Sequence, residues 1–353
     1  MKLKNLRQEI DNTDSAIVRL LNKRTGIAAK IADFKLKHGQ SLYSPDRERE
    51  VLRKITSSNS GPLAKRALEA IYREIMSAAL ACERPLRIAY LGPQATFTHL
   101  AALKRFGSQV EYLASDGIAD VFLEVERGQA DYGVVPIENS IEGAVTHTLD
   151  MLIDSDLKVC AQIILDVAHN LLAKCPKAKI KRVYSNPQVF GQCRLWLQEN
   201  LSAVDMVEVS STTRAAQIAS REKYSAAIAS LLAAKVYKLK VIASDIEDSP
   251  HNITRFLVIG KNDVASTGDD KTSIVFSIKD KVGALYEMLA PFKKYHINLT
   301  KIESRPSKKK AWDYYFFLDL EGHLDEPRVK KALAELENKC RFIKVLGSYP
   351  IGE

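Results

Sequence analysis

Leu3, Leu6, Ile10, Ile17, Leu20, Leu21, Ile27, Ala28, Ile31 and Phe34 set an apolar rhythm over residues 3–37 that recurs mostly at helical spacing, with no proline in the stretch. This rhythm predicts one helix over 3–37, with Gly26 its weakest link. At ~1.5 Å per residue it runs roughly 50 Å, longer than a domain of about 84 residues is wide, so its apolar stripe requires a partner. Ser44 followed by Pro45 is an N-cap and first-turn pair opening a second helix through about Ser57. Asn59, Ser60, Gly61 and Pro62 turn the chain into a third helix ending near Glu83, and Arg84 and Pro85 close this all-α, three-helix unit.

From Leu86 the pattern becomes short apolar runs alternating with amphipathic stretches: RIAYLG and a helix from about Thr98, YGVVPI and a helix near Ile141 to Ile153. Further runs at Val183–Tyr184, Val207–Val209, Ala226–Ala229 and Arg255–Ile259 continue an α/β organisation. The polar KNDVASTGDD stretch, 261–270, reads as a linker. After it, KTSIVFSI, a helix over VGALYEMLAPFKKY, strands around Ile297–Glu303 and Asp313–Leu320, a helix from about Glu326 to Lys339, and FIKVLGSY give β-α-β-β-α-β, the α+β ferredoxin-like order. The expected multidomain layout is therefore 1–84 helical, 85–262 α/β and 271–353 ferredoxin-like.

A chain of 353 residues with 46% hydrophobic and 27% charged composition has enough apolar material for several cores. The charged N-terminus and the lack of any run of 18 apolar residues point to a cytoplasmic protein with no membrane segment. Five scattered cysteines, Cys82, Cys160, Cys175, Cys193 and Cys340, read as buried thiols and give no zinc spacing. The net charge of +9 is uneven: residues 1–84 hold 17 Lys and Arg against 10 Asp and Glu, with Phe34, Tyr43 and Tyr72 as the segment's aromatics. So few stacking residues argue against nucleic acid and for small anionic ligands.

On the long helix, Arg24 and Lys35 are eleven residues apart, about 20° from one azimuth, whereas Arg7 is about 25 Å from Arg24. One small ligand cannot touch all three in one chain, so joint action requires Arg7 from a second copy. The blocks LKNLRQEIDNTDSAIVRLLNKR, IADFKLK, DREREVL and YREIMSAALACE resemble the all-helical chorismate mutase family in order and spacing over 3–83. That resemblance implies a homodimer or higher homo-oligomer and a site needing no metal or cofactor. In it Arg7 and Arg24 hold substrate carboxylates, Lys35 faces the ether oxygen, Arg47 supports the site, and Glu48 accepts the ring hydroxyl. Ser44 and Ala79 stand where some relatives carry Asp and Ser. Glu83 stands where many carry Gln, which implies a protonated Glu83 or a mutase activity that declines as pH rises.

In the α/β segment, Gly92, Pro93, Thr96 and Thr98 follow a strand, and VPIENSIEG places Glu138, Asn139 and Ser140 after another. Tyr184–Gln188, Gln192, SSTTRAAQIA and HNITRF add polar groups at strand ends and helix starts, where open α/β sheets bind ligands. These blocks resemble prephenate dehydratase over 86–260, implying a two-lobed fold similar to type-2 periplasmic binding proteins. The resemblance assigns the proton donor to Thr254, a carboxylate partner to Arg255, and cleft positions to Glu138, Asn139, Ser185, Gln192 and Phe256. Gln94-Ala95 departs from a frequent Glu-Gly, and Asn186 from a frequent His.

GALYEML at 283–289 and ESRP at 303–306 resemble an ACT domain over 271–350. By that resemblance L-phenylalanine is the effector, held at Gly283, Ala284 and Leu285 by a helix N-terminus and at Asn298, Glu303 and Ser304 through its ammonium. A plain docking role for this unit stays open. Two other classes stand beside the two-enzyme reading: a non-catalytic small-molecule binder, opposed by Thr254-Arg255 and the Arg7, Arg24, Lys35 set, and a mutase fused to a prephenate dehydrogenase, opposed by the absence of GxGxxG after any expected strand.

Overall fold

The computed structural model describes residues 3–38, 43–83, 86–278, 281–307 and 314–351, without the side chains of Leu36 and Glu83. Arg84, Pro85 and the expected strand start at Asp313 lie outside the described residues.

The helical rhythm of the N-terminal segment becomes α1 (Leu3–Lys37), 35 residues without a break. Two shorter helices follow, α2 (Pro45–Ser57) and α3 (Lys65–Glu83). Ser44 caps α2 through its backbone, extended at φ −132° and ψ 100° with Pro45 next, while its carbonyl accepts the Glu48 N–H at 3.0 Å. The Asn59 side chain builds the turn before α3, accepting from the Gly61 N–H at 3.2 Å and donating to the Leu63 carbonyl at 2.8 Å. Of the described side chains on α1, Ala32 alone is buried, whereas Leu3, Ile10 and Phe34 are 65%, 59% and 58% exposed. Residues 105–111 belong to the same compact unit as 1–87.

The second unit holds the remaining chain. Its first lobe contains most of β1 (Arg87–Leu91), of α4 (Phe97–Phe106) and of β2 (Glu111–Ser115), with α5 (Ile118–Glu126), β3 (Tyr132–Asn139), β4 (Gly143–Ala144), α6 (Thr146–Asp154) and β5 (Lys158–Asp166). The second contains β6 (Asn170–Ala173), β7 (Arg182–Ser185), α7 (Pro187–Gln192), α8 (Arg194–Asn200), β8 (Asp205–Glu208), α9 (Thr212–Ala219), β9 (Ser225–Ala229), α10 (Leu231–Tyr237) and β10 (Lys240–Ala243). The chain then returns through β11 (Ile253–Gly260), giving sheet orders β2-β1-β3-β11-β5 and β10-β6-β9-β7-β8. Strand β11 runs antiparallel between β3 and β5, which explains its unbroken apolar run from Phe256 to Ile259.

The helix expected from Ile141 begins instead at Thr146. The Asn139 side chain accepts the N–H groups of both Ile141 and Glu142 at 3.0 Å, folding these residues into a turn before β4. The thiols divide as well: Cys160 and Cys193 are buried, Cys175 and Cys340 are half-buried, and Cys82 is exposed, against the expectation of burial.

The C-terminal segment forms β12 (Asp270–Ser277), α11 (Ala284–Lys294), β13 (Leu299–Pro306), β14 (Tyr314–Glu321), α12 (Pro327–Glu337) and β15 (Phe342–Pro350). Its antiparallel sheet has order β13-β14-β12-β15, with Phe276, Phe292, Leu318 and Leu336 in the core beneath the two helices. Strand β15 packs on β5 with backbone nearly touching backbone at Gly347, where an added Cβ would lie 2.3 Å from the Val159 carbonyl oxygen. Among the described residues no helix is long and apolar enough to cross a membrane.

Candidate active sites

In the helical unit, α1, α2 and α3 line an open cavity of roughly 570 Å³, the size of a small-molecule site. Arg24 and Lys35 from α1, Ser44, Arg47 and Glu48 around the start of α2, and Ala79 from α3 all line it. Arg7 does not, and lies exposed further along α1, as its separation from Arg24 requires. Lys35 donates from Nζ to Ser44 Oγ at 2.7 Å, so the serine side chain, while not capping α2, orients a cavity cation. Arg47 pairs with Glu50 on the exposed side of α2. The side chain of Glu83 lies outside the described residues.

Glu48 is buried, and two groups meet at its Oε2: the Tyr43 hydroxyl donates at 2.8 Å, and Arg105 Nη2 approaches to 3.1 Å. Burial pushes the Tyr43 phenol well above its ordinary value, keeping its proton in place as a donor. Burial works against the Arg105 cation, but Glu48 and Tyr43 outweigh it and raise its pKa overall. Neither Tyr43 nor Arg105 was expected in this site; a single arginine far along the chain carries no spacing signal.

In the α/β unit, strand alternation divides the expected cleft residues into two groups. Thr254 pairs with Asn139 across β11 and β3, and Arg255 pairs with Glu138. Asn139 Nδ2 donates to Thr254 Oγ1 at 2.8 Å and to Asn252 Oδ1 at 2.7 Å. Asn252 Nδ2 donates to Gln192 Oε1 at 3.0 Å, and Gln192 Oε1 also lies 2.8 Å from His169 Nε2. An amide oxygen only accepts, so His169 carries its proton on Nε2. Burial, the largest influence, lowers the His169 pKa and keeps the ring neutral. One polar chain thus joins Thr254 and Asn139 in the first lobe to Gln192 and His169 in the second. Asn252 was visible beside the TRF triplet, whereas His169 stands alone in the sequence with nothing to mark it.

Arg255, Glu138 and Ser185 are engaged elsewhere. The Arg255 guanidinium forms an ion pair with Asp319 at 2.6 Å and donates to Tyr349 Oη at 3.0 Å. The guanidinium thus has an internal carboxylate partner on β14. Glu138 pairs with Lys301 of β13 at 2.8 Å. Ser185 is fully buried and donates to the Ile228 carbonyl at 3.1 Å, which fixes β7 to β9 and removes it from any cleft surface. Phe256 is buried at 2% exposure. Ala95 adopts φ +74°, a left-handed conformation that explains why glycine suits this position in the resembling family. Asn186 caps α7, accepting the Val189 N–H at 3.0 Å.

In the C-terminal unit, Gly283, Ala284 and Leu285 form the start of α11; Asn298 immediately precedes the edge strand β13, and Glu303 and Ser304 lie within it. Gly283 sits at φ +77°, and Asn298 Nδ2 donates to Glu321 Oε1 at 2.9 Å. Among the described residues no group of three His, Cys, Asp or Glu side chains is arranged to hold a metal ion.

Family models match in three successive segments: Chorismate mutase type II over residues 6–84, Prephenate dehydratase over 88–264 and ACT domain over 272–338. The bifunctional chorismate mutase/prephenate dehydratase of Aquifex aeolicus (strain VF5) is 51% identical over 354 residues, covering 99% of this chain and 98% of that one. This chain belongs to the bifunctional chorismate mutase/prephenate dehydratase family. The Pseudomonas aeruginosa relative of the same name is 45% identical over 356 residues, with 99% and 98% covered. A solved prephenate dehydratase from Arthrobacter aurescens, in complex with L-Phe, superposes with a TM-score of 0.70 at 35% identity over 75% of this chain and 90% of that one. The chain thus carries both activities, the rearrangement of chorismate to prephenate and the conversion of prephenate to phenylpyruvate, in the biosynthesis of phenylalanine.

Proposed function

We propose that the two reactions run in two separate sites, assigned to residues as follows, and that phenylalanine restrains the second through the ACT domain. In the mutase cavity, Arg24 and Arg7 of a second copy hold the two substrate carboxylates in bidentate contacts, Lys35 faces the ether oxygen, and Glu48 accepts from the ring hydroxyl. The rearrangement is unimolecular, so the site acts by compacting the substrate and stabilising charge on the breaking C–O bond. The convergence of Arg24, Lys35, Arg47 and Glu48 on one cavity carries this reading. The exposed apolar stripe of α1 supports a homodimer built along that helix.

In the dehydratase lobes, prephenate loses its ring carboxylate as carbon dioxide, the electron pair moves into the ring, and the C–O bond to the ring hydroxyl breaks. Thr254 delivers a proton to the departing oxygen, forming water, and regains one from solvent. Because Thr254 Oγ1 accepts from Asn139, its own O–H is left to act as a donor.

Feedback by phenylalanine is supported by the L-Phe complex of the Arthrobacter relative and by the ACT match. Phenylalanine binds at Gly283–Leu285 with Asn298, Glu303 and Ser304, favouring a less active state. Purified protein supplied with chorismate, with and without phenylalanine, tests the whole assignment. Prephenate and then phenylpyruvate form, and phenylalanine slows only the second step. Failure of phenylalanine to alter phenylpyruvate formation removes the regulatory part.

A further inference from the structure

The mutase cavity contains a cation from outside the segment that matches the mutase family. Arg105 lies beyond residues 6–84, within the stretch matched to prephenate dehydratase, yet it lines the cavity of the helical unit. Its Nε donates to Tyr43 Oη at 2.7 Å, and its Nη2 lies 3.1 Å from Glu48 Oε2. Tyr43 Oη in turn donates to the same Oε2 at 2.8 Å. The three side chains form a closed triangle with both donors on one carboxylate oxygen.

The backbone behind Arg105 is fixed as well. Ser108 donates through N–H and Oγ to Glu74 Oε2 at 3.2 and 2.7 Å, and the Gln109 N–H donates to Ser77 Oγ at 3.1 Å, tying this stretch to α3. Between them Gly107 has φ +75°, and a Cβ there would meet Ser77 Cβ at 2.6 Å. The chain is held tightly enough to present one guanidinium in one place.

A carboxylate in a mostly apolar cavity, opposite a dicarboxylate substrate, needs compensating charge and a fixed orientation before it can accept a hydrogen bond from a hydroxyl in productive geometry. We propose that Arg105 is a positioning residue for the mutase reaction: with Tyr43 it anchors Glu48 Oε2, so that Oε1 faces the substrate's ring hydroxyl. This rests on the reading of Glu48 as the hydroxyl acceptor. Arg105 touches Glu48 and Tyr43, not the reacting atoms.

The test is steady-state mutase kinetics on the full chain for Arg105→Met, Arg105→Lys, Glu48→Gln and the Arg105→Met/Glu48→Gln pair, with prephenate turnover measured on each. Loss of a charge-assisted contact predicts that Arg105→Met lowers mutase kcat/KM at least about tenfold, that Arg105→Lys recovers part of it, and that prephenate turnover is unchanged. In the Glu48→Gln background the Arg105→Met change costs less than about threefold, because the carboxylate it orients is gone. An Arg105→Met enzyme within about threefold of the parent, or an equal loss in both backgrounds, overturns the inference. Full mutase activity in Glu48→Gln removes the Glu48 reading beneath it instead. Should Arg105→Met abolish both activities, Tyr43→Phe decides, since it deletes one hydroxyl without emptying space: a loss of about three- to tenfold in mutase kcat/KM alone is expected, and an unchanged value contradicts the proposal.

Discussion

Arg255 and Asp319 form a nearly buried ion pair at 2.6 Å, linking the strand that carries Thr254 to the ACT sheet. Tyr349 accepts from Arg255 at 3.0 Å, and Ser273 donates to Asp319 Oδ1 at 2.5 Å, so dehydratase and ACT side chains share one polar cluster. Asp319→Ala leaves a nearly buried guanidinium with only the more distant Glu138 carboxylate, 3.9 Å away, as counter-charge. The expected cost is about 3–5 kcal/mol in chemical unfolding, together with a weaker response of prephenate turnover to phenylalanine. Replacing both partners, Arg255→Met with Asp319→Leu, restores most of the stability but not the response.

Gly347 tests the packing of β15 on β5. The space for its Cβ is taken by the backbone of Val159, at 2.3 Å from the carbonyl oxygen and 2.9 Å from the nitrogen, and backbone cannot swing aside as a side chain can. Gly347→Ala is expected to destabilise the dehydratase and ACT unit by about 1–3 kcal/mol and to weaken inhibition by phenylalanine. A melting temperature and inhibition curve matching the parent's contradict this packing account.

Arg7 and Arg24 offer a complementation test. Chains carrying Arg7→Ala or Arg24→Ala alone lose mutase activity by at least about tenfold. Mixed dimers regain one intact site, combining Arg24 of one chain with Arg7 of the other. Co-expressed and co-purified mixtures therefore recover activity, whereas a site formed within one chain yields no recovery.

Two buried histidines set a pH window for stability. Burial lowers the pKa of His99 and, more than any other influence, that of His169. Their folded values lie below the unfolded value of about 6.5, so the unfolded chain takes up protons first as the solution is acidified. The stability they contribute is complete above about pH 6.5 and is lost as pH falls through that value toward the lowered folded pKa values. The melting temperature is expected to fall between pH 7.5 and 5.5, and the His99→Gln/His169→Gln variant to show a smaller fall. An identical fall in both proteins contradicts the assignment.

Much of this architecture is readable from local patterning. The 3–37 periodicity, the Ser44-Pro45 start and the β-α-β-β-α-β order correspond to α1, α2 and the C-terminal sheet because each rests on interactions within a few residues or on one buried face. The turn after Asn139 was missed because a side chain takes the N–H groups that a helix there would leave free. Arg24 and Lys35 were legible from their shared face of α1, whereas Arg47 and Glu48 were named only through the resemblance to the chorismate mutase family; all four line the cavity. Arg105 was not, since a distant single arginine ordinarily reads as a solvated charge. Arg255 stands next to Thr254 in sequence but turns to the opposite side of β11, a consequence of strand alternation that motif resemblance alone does not resolve.

The claim on which the dehydratase account turns is that the Thr254 hydroxyl, held by Asn139, protonates the departing oxygen. Feeding chorismate to Thr254→Ala and following both products tests it most directly. The account predicts that prephenate forms at the parent rate and accumulates, with phenylpyruvate formation reduced at least about 100-fold. Phenylpyruvate appearing from Thr254→Ala at the parent rate contradicts it.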